Sequence, residues 1–343
     1  MSRPPVPLII ADGDIATTRL VARELGVVYG NVEIRVPDSL FGTDLAGRPI
    51  VVSRLCHPSL SWLPEYLTQR GLRYAYFLDD NFWELTRDVD AHLAPFYTNP
   101  AVVATLAGFI RGADLVIVWS LRLRDYIAQK FPGARVEYAA TGVDFTALDS
   151  ATTVIDNRAT QPIRIGYPTS RRPGVAALLS DVVRGIGERY GSRVQFEFVG
   201  WMPEALEGRD HVTLTPHISA YDDYLDFVRS RHWEIGLAPL AGTTFEAYKT
   251  DIKYREYAGL CIPAVYSRVS PYTESVVDGK TGVLSANVAG EWIAALATLI
   301  ESPRLRHDLA NAAFAEVRQQ RDLEVTGRRF AALLPGFAGA LVP

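Results

Sequence analysis

Short apolar runs recur along the chain, and each is separated from the next by a segment of about helix length. In the first half these runs are PLIIAD (7–12), PIVVSR (49–54), RYAYFLD (73–79), ADLVIVWS (113–120) and ARVEYA (134–139). They are rich in Val, Ile and Tyr and are bounded by Gly, Pro or Asp, which predicts β-strands. The segments between them, such as TTRLVARELG and SLRLRDYIAQKF, have the amphipathic spacing that predicts helices.

The same alternation restarts after residues 141–162, a segment rich in Thr, Asp and Ala that has no sustained period. The later runs are IRIGYP (163–168), VQFEFVGW (194–201), HVTLTPH (211–217), EIGLAPL (234–240), IPAVYS (262–267) and GVLSA (282–286). Continuous apolar strands that alternate with helices predict parallel sheets covered on both faces. We therefore predict an α/β protein with two doubly wound, Rossmann-like domains that face each other across a cleft.

A chain of 343 residues is long enough for two domains. We expect the first at residues 1–155 and the second at residues 156–325, followed by a helical tail at 326–343. The tail could pack back on the first domain or belong to the second. Ligands of doubly wound domains bind beyond the carboxyl ends of the strands, so the cleft is the expected site.

Composition narrows the function classes. The formal net charge is −4, from 35 basic and 39 acidic residues, which argues against nucleic-acid binding through bulk charge. Cys56 and Cys261 are the only cysteines, too few for a disulfide framework or a metal cluster, and a reducing cytoplasm is the simplest expectation. No stretch approaches 18 uninterrupted apolar residues, so we expect no transmembrane helix.

The loop that follows the first strand of the second half, GYPTSRRPG, is a candidate anion site. Thr169, Arg171 and Arg172 lie where a strand hands over to a helix. Backbone N–H groups at a helix start favour anions, and paired arginines can clamp phosphate oxygens. A solvated turn is the alternative. Neither a Walker A loop nor a GxGxxG fingerprint is present.

The segment FEAYKTDIKYREYAGLCIPAVYS (245–267) is the second candidate. A single helix over residues 243–259 would place Lys249, Lys253 and Glu256 on one face. Cations near a helix start are unfavourable by a few tenths of a kcal/mol to about 1 kcal/mol unless an anion is bound there. This indicates a phosphate near the lysines and a sugar diol at Glu256. A plain Lys253–Glu256 ion pair is the alternative.

A third loop, SRVSPYTESVVDGKTGVL (267–284), follows the next strand. Ser270 and Tyr272 lie beside a predicted helix start, where backbone donors add to a phosphate site. Gly279 and Gly282 belong to ordinary turn chemistry.

These three elements carry a family resemblance over roughly residues 160–325. IGLAPL, the segment 245–267, SPYTESVVDGKTGVL and EWIAALATLIESPRLRHDLANAAFAEV together resemble the donor domain of retaining GT-B-fold glycosyltransferases of the family 4 group. More narrowly, the chain is similar to bacterial enzymes that assemble surface polysaccharides. The resemblance implies that Glu256, in REYAGLCIP, binds the ribose of the nucleotide.

The resemblance also implies which cations bind the diphosphate. Arg171 or Arg172 would do so after the first strand, with Lys249 or Lys253 as the partner that stabilises the leaving group. The sequence departs from the family at one position. Two glutamates spaced E-x7-E are usual, and counting back from Glu256 reaches Tyr248, with Glu246 out of register.

The first half is then expected to bind the acceptor. Asp79 and Asp80, in YFLDDNFWEL, resemble the acidic cluster that holds Mg²⁺ or Mn²⁺ in GT-A enzymes. Hard cations need several oxygen ligands and no second acidic cluster is obvious, so we expect no metal. A carboxylate that orients the acceptor hydroxyl or acts as base, assigned to Asp80, is the preferred interpretation, and a turn with a helix cap is the alternative. Further candidates that follow strand ends are Asp12, Asp14 and His57.

The predicted activity is transfer of a sugar from a nucleoside diphosphate sugar to a hydroxyl of a glycan or lipid-linked glycan. The resemblance implies retention. We expect neither a metal nor a cofactor other than the donor, and the leaving phosphate is a candidate base. The expected place is the cytoplasm, with peripheral association at the inner face of the membrane left open. Two alternatives stay open: a nucleotide-sugar 2-epimerase on the same fold, and an inactive glycan- or nucleotide-binding subunit.

Overall fold

The computed structural model describes residues 5–13, 15–40, 44–145 and 162–334. It divides into two compact units. The first comprises Met1–Gly142, Tyr248–Thr250 and Arg321–Pro343, and the second comprises Val143–Ala247 and Asp251–Gln320. The predicted domain boundary at 155/156 and most of the predicted linker lie outside the described residues, as do Asp14 and the end of the predicted tail, residues 335–343.

The first unit contains a six-stranded parallel sheet with the order β2-β1-β3-β4-β5-β6. Its strands are β1 (Leu8–Ile10), β2 (Glu33–Arg35), β3 (Ile50–Ser53), β4 (Tyr74–Leu78), β5 (Leu115–Val118) and β6 (Val136–Tyr138). Its helices are α1 (Ala16–Tyr29), α2 (Leu63–Gln69), α3 (Ala94–Tyr97), α4 (Pro100–Gly112), α5 (Leu121–Lys130) and, from the end of the chain, α12 (Leu323–Leu333).

The second unit contains a six-stranded parallel sheet with the order β12-β11-β10-β7-β8-β9. Its strands are β7 (Ile163–Pro168), β8 (Val194–Val199), β9 (Val212–Thr215), β10 (Ile235–Ala238), β11 (Ala264–Ser267) and β12 (Val283–Ser285). Its helices are α6 (Ala176–Tyr190), α7 (Tyr221–Arg231), α8 (Ile252–Gly259), α9 (Tyr272–Ser275), α10 (Ala289–Glu301) and α11 (Pro303–Arg321).

The predicted fold class, α/β with two parallel sheets, is confirmed, and every predicted strand is present. The central strands β3, β4 and β5 are buried along their whole length, as expected for strands covered on both faces. The sequence prediction missed β2. This strand lies at the sheet edge, is only half-buried and contains Glu33 and Arg35, so it has no apolar run.

The prediction of one helix over residues 243–259 is wrong. The chain makes a 3₁₀ turn at Glu246–Tyr248, leaves helical geometry, and starts α8 only at Ile252. Asp251, the last residue before α8, is buried and its side chain is bound on two sides, although it makes no capping bond to the helix backbone. Its carboxylate accepts hydrogen bonds from Arg255 Nε at 3.0 Å and from Ser275 Oγ at 2.7 Å. Because α8 starts only at Ile252, Lys249 is not on the helix that contains Lys253 and Glu256.

Helix α12 packs against α1 within the first unit. The carboxylate of Glu24, only 2% exposed, accepts hydrogen bonds from Thr326 Oγ1 at 2.8 Å and from the backbone N–H of Gly142 at 2.5 Å. Gly327 lies so close to α1 that an added Cβ would approach the Glu24 carbonyl oxygen to 2.5 Å. A buried carboxylate and a close helix crossing therefore fix the last described helix to the first.

Candidate functional site

The carboxyl edge of the second sheet gathers the loops predicted to hold the donor. β10 lies between β7 and β11, and all three strands are parallel, so the loops that leave their carboxyl ends are neighbours. Gly174, in the loop after β7, lies so near the loop after β10 that an added Cβ would contact Ala241 at 3.0 Å. α7 and α8 both follow strands of this sheet, which places their first turns at the same edge.

Glu246 organises the loop after β10. The side chain is 4% exposed, and its Oε2 accepts hydrogen bonds from the backbone N–H groups of Gly242 at 2.9 Å and Thr243 at 3.2 Å. The Thr243 hydroxyl in turn accepts from the Glu246 N–H at 3.2 Å, which makes a capping box. Arg172 Nη1 reaches Glu246 Oε1 at 3.5 Å. Glu246 thus connects the loops that follow two neighbouring strands.

The two arginines after β7 differ in environment. Arg172 is half-buried against Glu246, whereas Arg171 is exposed to solvent. Thr169 is half-buried, its N–H donates to Val199 O at 2.8 Å, and its hydroxyl donates to Ser170 O at 2.8 Å. The loop therefore presents an exposed cation, Arg171, beside a second one, Arg172, that is already paired with a carboxylate.

Glu256 lies in α8 and is bound by three side chains. Its Oε1 accepts a hydrogen bond from the Tyr221 hydroxyl at 3.1 Å, and its Oε2 accepts from the Tyr224 hydroxyl at 2.8 Å and from Lys253 Nζ at 2.8 Å. Lys253 Nζ also donates to the Tyr224 hydroxyl at 3.1 Å and lies 5.2 Å from the centre of that ring. Burial, and next the charge of Glu256, raises the pKa of Tyr224 well above its usual value, so this phenol stays a donor.

In the loop after β11, Ser270 has polar neighbours, whereas the side chain of Tyr272 is buried among other rings. Ser270 Oγ lies 2.9 Å from both Ala247 O and Glu274 Oε1. The Tyr272 side chain is 4% exposed, packs 5.0 Å from the Tyr266 ring, and its pKa is raised by burial. Its ring therefore belongs to the apolar core, and only its backbone is available to a ligand.

In the first unit, Asp79 follows β4 and is paired with Arg54, which follows β3. Arg54 Nε lies 3.0 Å from Asp79 Oδ1, and Arg54 Nη1 lies 3.1 Å from Oδ2. The Thr17 hydroxyl donates to Oδ2 at 3.0 Å. Arg54 adopts φ 59°, a left-handed backbone conformation that non-glycine residues rarely take. Burial raises the pKa of Asp79, while Arg54 acts in the opposite direction.

The neighbouring carboxylate, Asp80, is paired with Lys249. Asp80 Oδ1 lies 3.0 Å from Lys249 Nζ, and both side chains are about one-fifth exposed, at 22% and 18%. Tyr248, which stands where the family pattern has its first glutamate, packs edge-on against Tyr126 with ring centres 5.2 Å apart. Burial, and next the charge of Glu84, raises the pKa of Tyr248. Three residues from the middle of the second half thus complete the first unit.

Asp12 and His57 lie at the carboxyl ends of β1 and β3 and are exposed. Desolvation raises the pKa of Asp12, although part of its side chain stays in contact with water, and the charges of His57 and Arg54 oppose the increase. The His57 ring stacks on Phe96 with centres 6.1 Å apart, and its Nδ1 caps the turn that begins at Pro58. These groups form a mixed polar and aromatic surface at the edge of the first sheet.

Residues 5–13, 15–40, 44–145 and 162–334 contain no group of three or more His, Cys, Asp or Glu side chains arranged to hold a metal ion. Within the same ranges no helix combines the length and the apolar character needed to cross a bilayer.

The sequence prediction missed several side chains that shape these sites. Arg54 and Thr17 hold Asp79, and Tyr221 and Tyr224 hold Glu256. The spacing of Tyr221 and Tyr224 in YDDYLDF, three residues apart on a helix, was a readable sign of a shared face. No comparable sign marks Arg54.

Comparison with known proteins identifies the fold. Sucrose-phosphate synthase from Thermosynechococcus elongatus aligns with a TM-score of 0.67 and 14% identity, over 96% of this chain and 98% of that one. HepE from Anabaena in complex with UDP-glucose gives a TM-score of 0.67 and 13% identity, over 95% and 98%. Trehalose-6-phosphate synthase, described in a study of enzymatic glycosyltransfer with retention, gives 0.62 and 12%, over 96% and 98%.

The two parallel sheets therefore form the GT-B fold that these structures share with the chain along nearly its whole length. Neither a protein-family model nor a curated protein matches the sequence. At 12–14% identity the likeness defines the fold alone.

Proposed function

We propose that the protein is a glycosyltransferase that moves a sugar from a nucleoside diphosphate sugar to a hydroxyl of a glycan or glycolipid acceptor. One observation carries the proposal. The carboxyl edge of the second sheet brings a buried, hydrogen-bonded carboxylate, Glu256, to the same edge as the arginine pair Arg171 and Arg172. A carboxylate is suited to a ribose diol and guanidinium groups to a diphosphate.

The fold supports the same interpretation. HepE was solved with UDP and with UDP-glucose, and the other two proteins are named as synthases of sugar phosphates. We extend nucleotide-sugar binding from those proteins to this one. Because the two synthases are named for synthesis and one of them is described in a study of glycosyltransfer, we prefer transfer to the 2-epimerase and to the inactive subunit.

In the proposed reaction the second unit binds the donor. Glu256 accepts hydrogen bonds from the ribose, and Arg171 and Arg172 stabilise the negative charge that develops on the leaving diphosphate. Thr169 and the backbone around Ser270 would add donors. Since cationic side chains can supply this stabilisation, the proposal needs no metal, and it keeps the retaining stereochemistry that the family resemblance implies.

The first unit would bind the acceptor. We assign to Asp80 the binding of the acceptor hydroxyl, and Asp12 and His57 would make further polar contacts with the acceptor. Asp79 would act indirectly, because its carboxylate is occupied by Arg54 and Thr17. Lys249 is paired with Asp80, so we assign it to holding that carboxylate in place. Lys253 is likewise occupied by Glu256, which leaves the diphosphate mainly to the arginines.

The test is calorimetric binding of UDP, ADP and GDP to the full chain. A nucleotide that binds the native state also raises the melting temperature, which supplies an independent reading. Arg171→Ala and Glu256→Gln should each weaken binding by about ten- to one hundredfold, because a charge-assisted hydrogen bond contributes about 1.5–3 kcal/mol. Arg184→Ala, which removes an exposed arginine paired with Asp181, is the matched control and should leave binding unchanged.

Absence of binding to all three nucleotides at millimolar concentration would overturn the proposal. Incubation with a bound nucleotide sugar separates the enzymatic alternatives. Release of free sugar, or its transfer to an added glycan, supports a transferase, whereas an epimerised nucleotide sugar would support the 2-epimerase.

A further inference from the structure

We propose that Tyr224 and Lys253 are positioning residues that hold Glu256 for the ribose, and that the Tyr221 hydroxyl gives up its place to a ribose hydroxyl when a nucleotide binds. The inference rests on the proposed function, because it takes the ligand of Glu256 to be a ribose. It adds Tyr221 and Tyr224 of α7 to the donor site and gives Lys253 of α8 a new role there. The two oxygens of the Glu256 carboxylate then have different tasks.

The two oxygens of Glu256 are not equivalent. Oε2 accepts two hydrogen bonds, from Tyr224 and Lys253, each at 2.8 Å. Oε1 accepts one from Tyr221, at the longer distance of 3.1 Å. A carboxylate offers about four lone-pair sites, two on each oxygen. Oε2 is therefore filled, and any new donor has to bind at Oε1.

Burial makes displacement necessary. Glu256 is only 6% exposed, so a ribose can reach the carboxylate only when one of the covering groups moves. Tyr221 stands at the first position of α7 and is half-buried, and its bond to the carboxylate is the longest of the three. Its departure leaves both hydrogen bonds at Oε2 in place.

The other two covering groups are held by each other as well as by Glu256. Lys253 Nζ donates to the Tyr224 hydroxyl at 3.1 Å and lies 5.2 Å from the centre of the Tyr224 ring. Each member of this trio therefore has two partners. Such a closed set of bonds fixes the rotamer of Glu256 and keeps a counter-charge beside it after Tyr221 has moved.

The prediction is a change in ribose selectivity, which a merely structural role would not produce. Whichever of UDP, ADP and GDP binds is compared by calorimetry with its 2′,3′-dideoxy counterpart. The wild-type protein should prefer the ribonucleotide by about tenfold or more. Tyr224→Phe should reduce this preference to about threefold or less, while the affinity for the dideoxy nucleotide stays within about twofold of wild type.

Tyr221→Phe should act in the opposite direction. It removes the group that competes with the ribose, so the ribonucleotide should bind about two- to tenfold more tightly with its selectivity preserved. Tyr190→Phe is the matched control, because Tyr190 also donates to a carboxylate of the second unit, that of Glu301. This control should change neither affinity nor selectivity.

The outcomes separate this inference from the proposed function. Absence of binding to any nucleoside diphosphate would refute both. Binding with an unchanged ribose preference in Tyr224→Phe, or with no ribose preference in the wild type, would refute the inference and leave the glycosyltransferase proposal standing. Weaker ribonucleotide binding by Tyr221→Phe would overturn the displacement of Tyr221, because it would show that this hydroxyl helps to bind the nucleotide.

Discussion

The ion pair of Arg54 and Asp79 gives a quantitative prediction about stability. Two contacts at 3.0 and 3.1 Å join the side chains, which are 23% and 12% exposed. Removal of one partner of a buried pair costs about 3–5 kcal/mol, and the partial exposure of Arg54 reduces this to about 2–4 kcal/mol. We therefore expect Asp79→Asn and Arg54→Met each to destabilise the first unit by this amount.

The double variant should lose less stability than the two single variants lose together. Once both charges are gone, no buried charge lacks a partner, so the coupling should reach about 2 kcal/mol. Hydrogen exchange of peptides that cover β3 and β4 measures the local opening free energy without assuming that both units unfold together. If the stability losses of the two single variants add up to that of the double variant within about 0.5 kcal/mol, the two side chains are not coupled and the reasoning is refuted.

The two single variants should also differ in their dependence on pH. Burial raises the pKa of Asp79, and Arg54→Met removes the charge that opposes this increase. A carboxyl group whose pKa is raised in the folded state binds more protons there than in the unfolded chain. Stability of Arg54→Met relative to wild type should therefore recover as pH falls from neutral into the acid range. Asp79→Asn has no such group and should show no recovery.

Three further predictions concern the fold. A Cβ on Gly166 would lie 1.9 Å from the Trp233 ring, so Gly166→Ala should cost about 1–3 kcal/mol, and an unchanged melting temperature would contradict this contact. Burial raises the pKa of Glu197, but its hydrogen bonds and the nearby arginines outweigh burial, so the pKa is lowered. In denaturant titrations the stability difference between wild type and Glu197→Gln should therefore be present at neutral pH and vanish in acid. A difference that does not depend on pH would contradict this expectation. Thr326→Val removes a hydrogen-bond donor to Glu24 and should lower the free energy of unfolding by about 1–3 kcal/mol. Hydrogen exchange in α1 should be faster than in wild type, and an equal rate would show that this bond does not hold α12 against α1.

The architecture was predictable because strand burial leaves a direct mark on the sequence. Strands covered on both faces need unbroken apolar runs, as in residues 74–78 and 115–118. The edge strand at Glu33–Arg35 has one neighbour and contains two charges, so periodicity gives no signal there. Local pattern therefore identifies the centre of a sheet better than its edge.

The site was less predictable because its contacts join distant parts of the chain. The sequence predicted Glu256 as a candidate, but Tyr221, 35 residues earlier, reaches it only through the fold. Asp251, at the break before α8, is bound to Ser275, 24 residues later. Lys249 shares a helical spacing with Lys253, and only that break shows that the two lysines serve different carboxylates.

The first unit is built from three separate stretches of the chain, and this limits the order in which its contacts can form during synthesis. Its last pieces, Tyr248–Thr250 and α12, follow almost the whole second unit along the chain. During synthesis the buried carboxylate of Glu24 therefore has no Thr326 partner until nearly all described residues have left the ribosome. A fragment that stops after β6 lacks both pieces, so it leaves Glu24 without the Thr326 hydroxyl and Asp80 without Lys249.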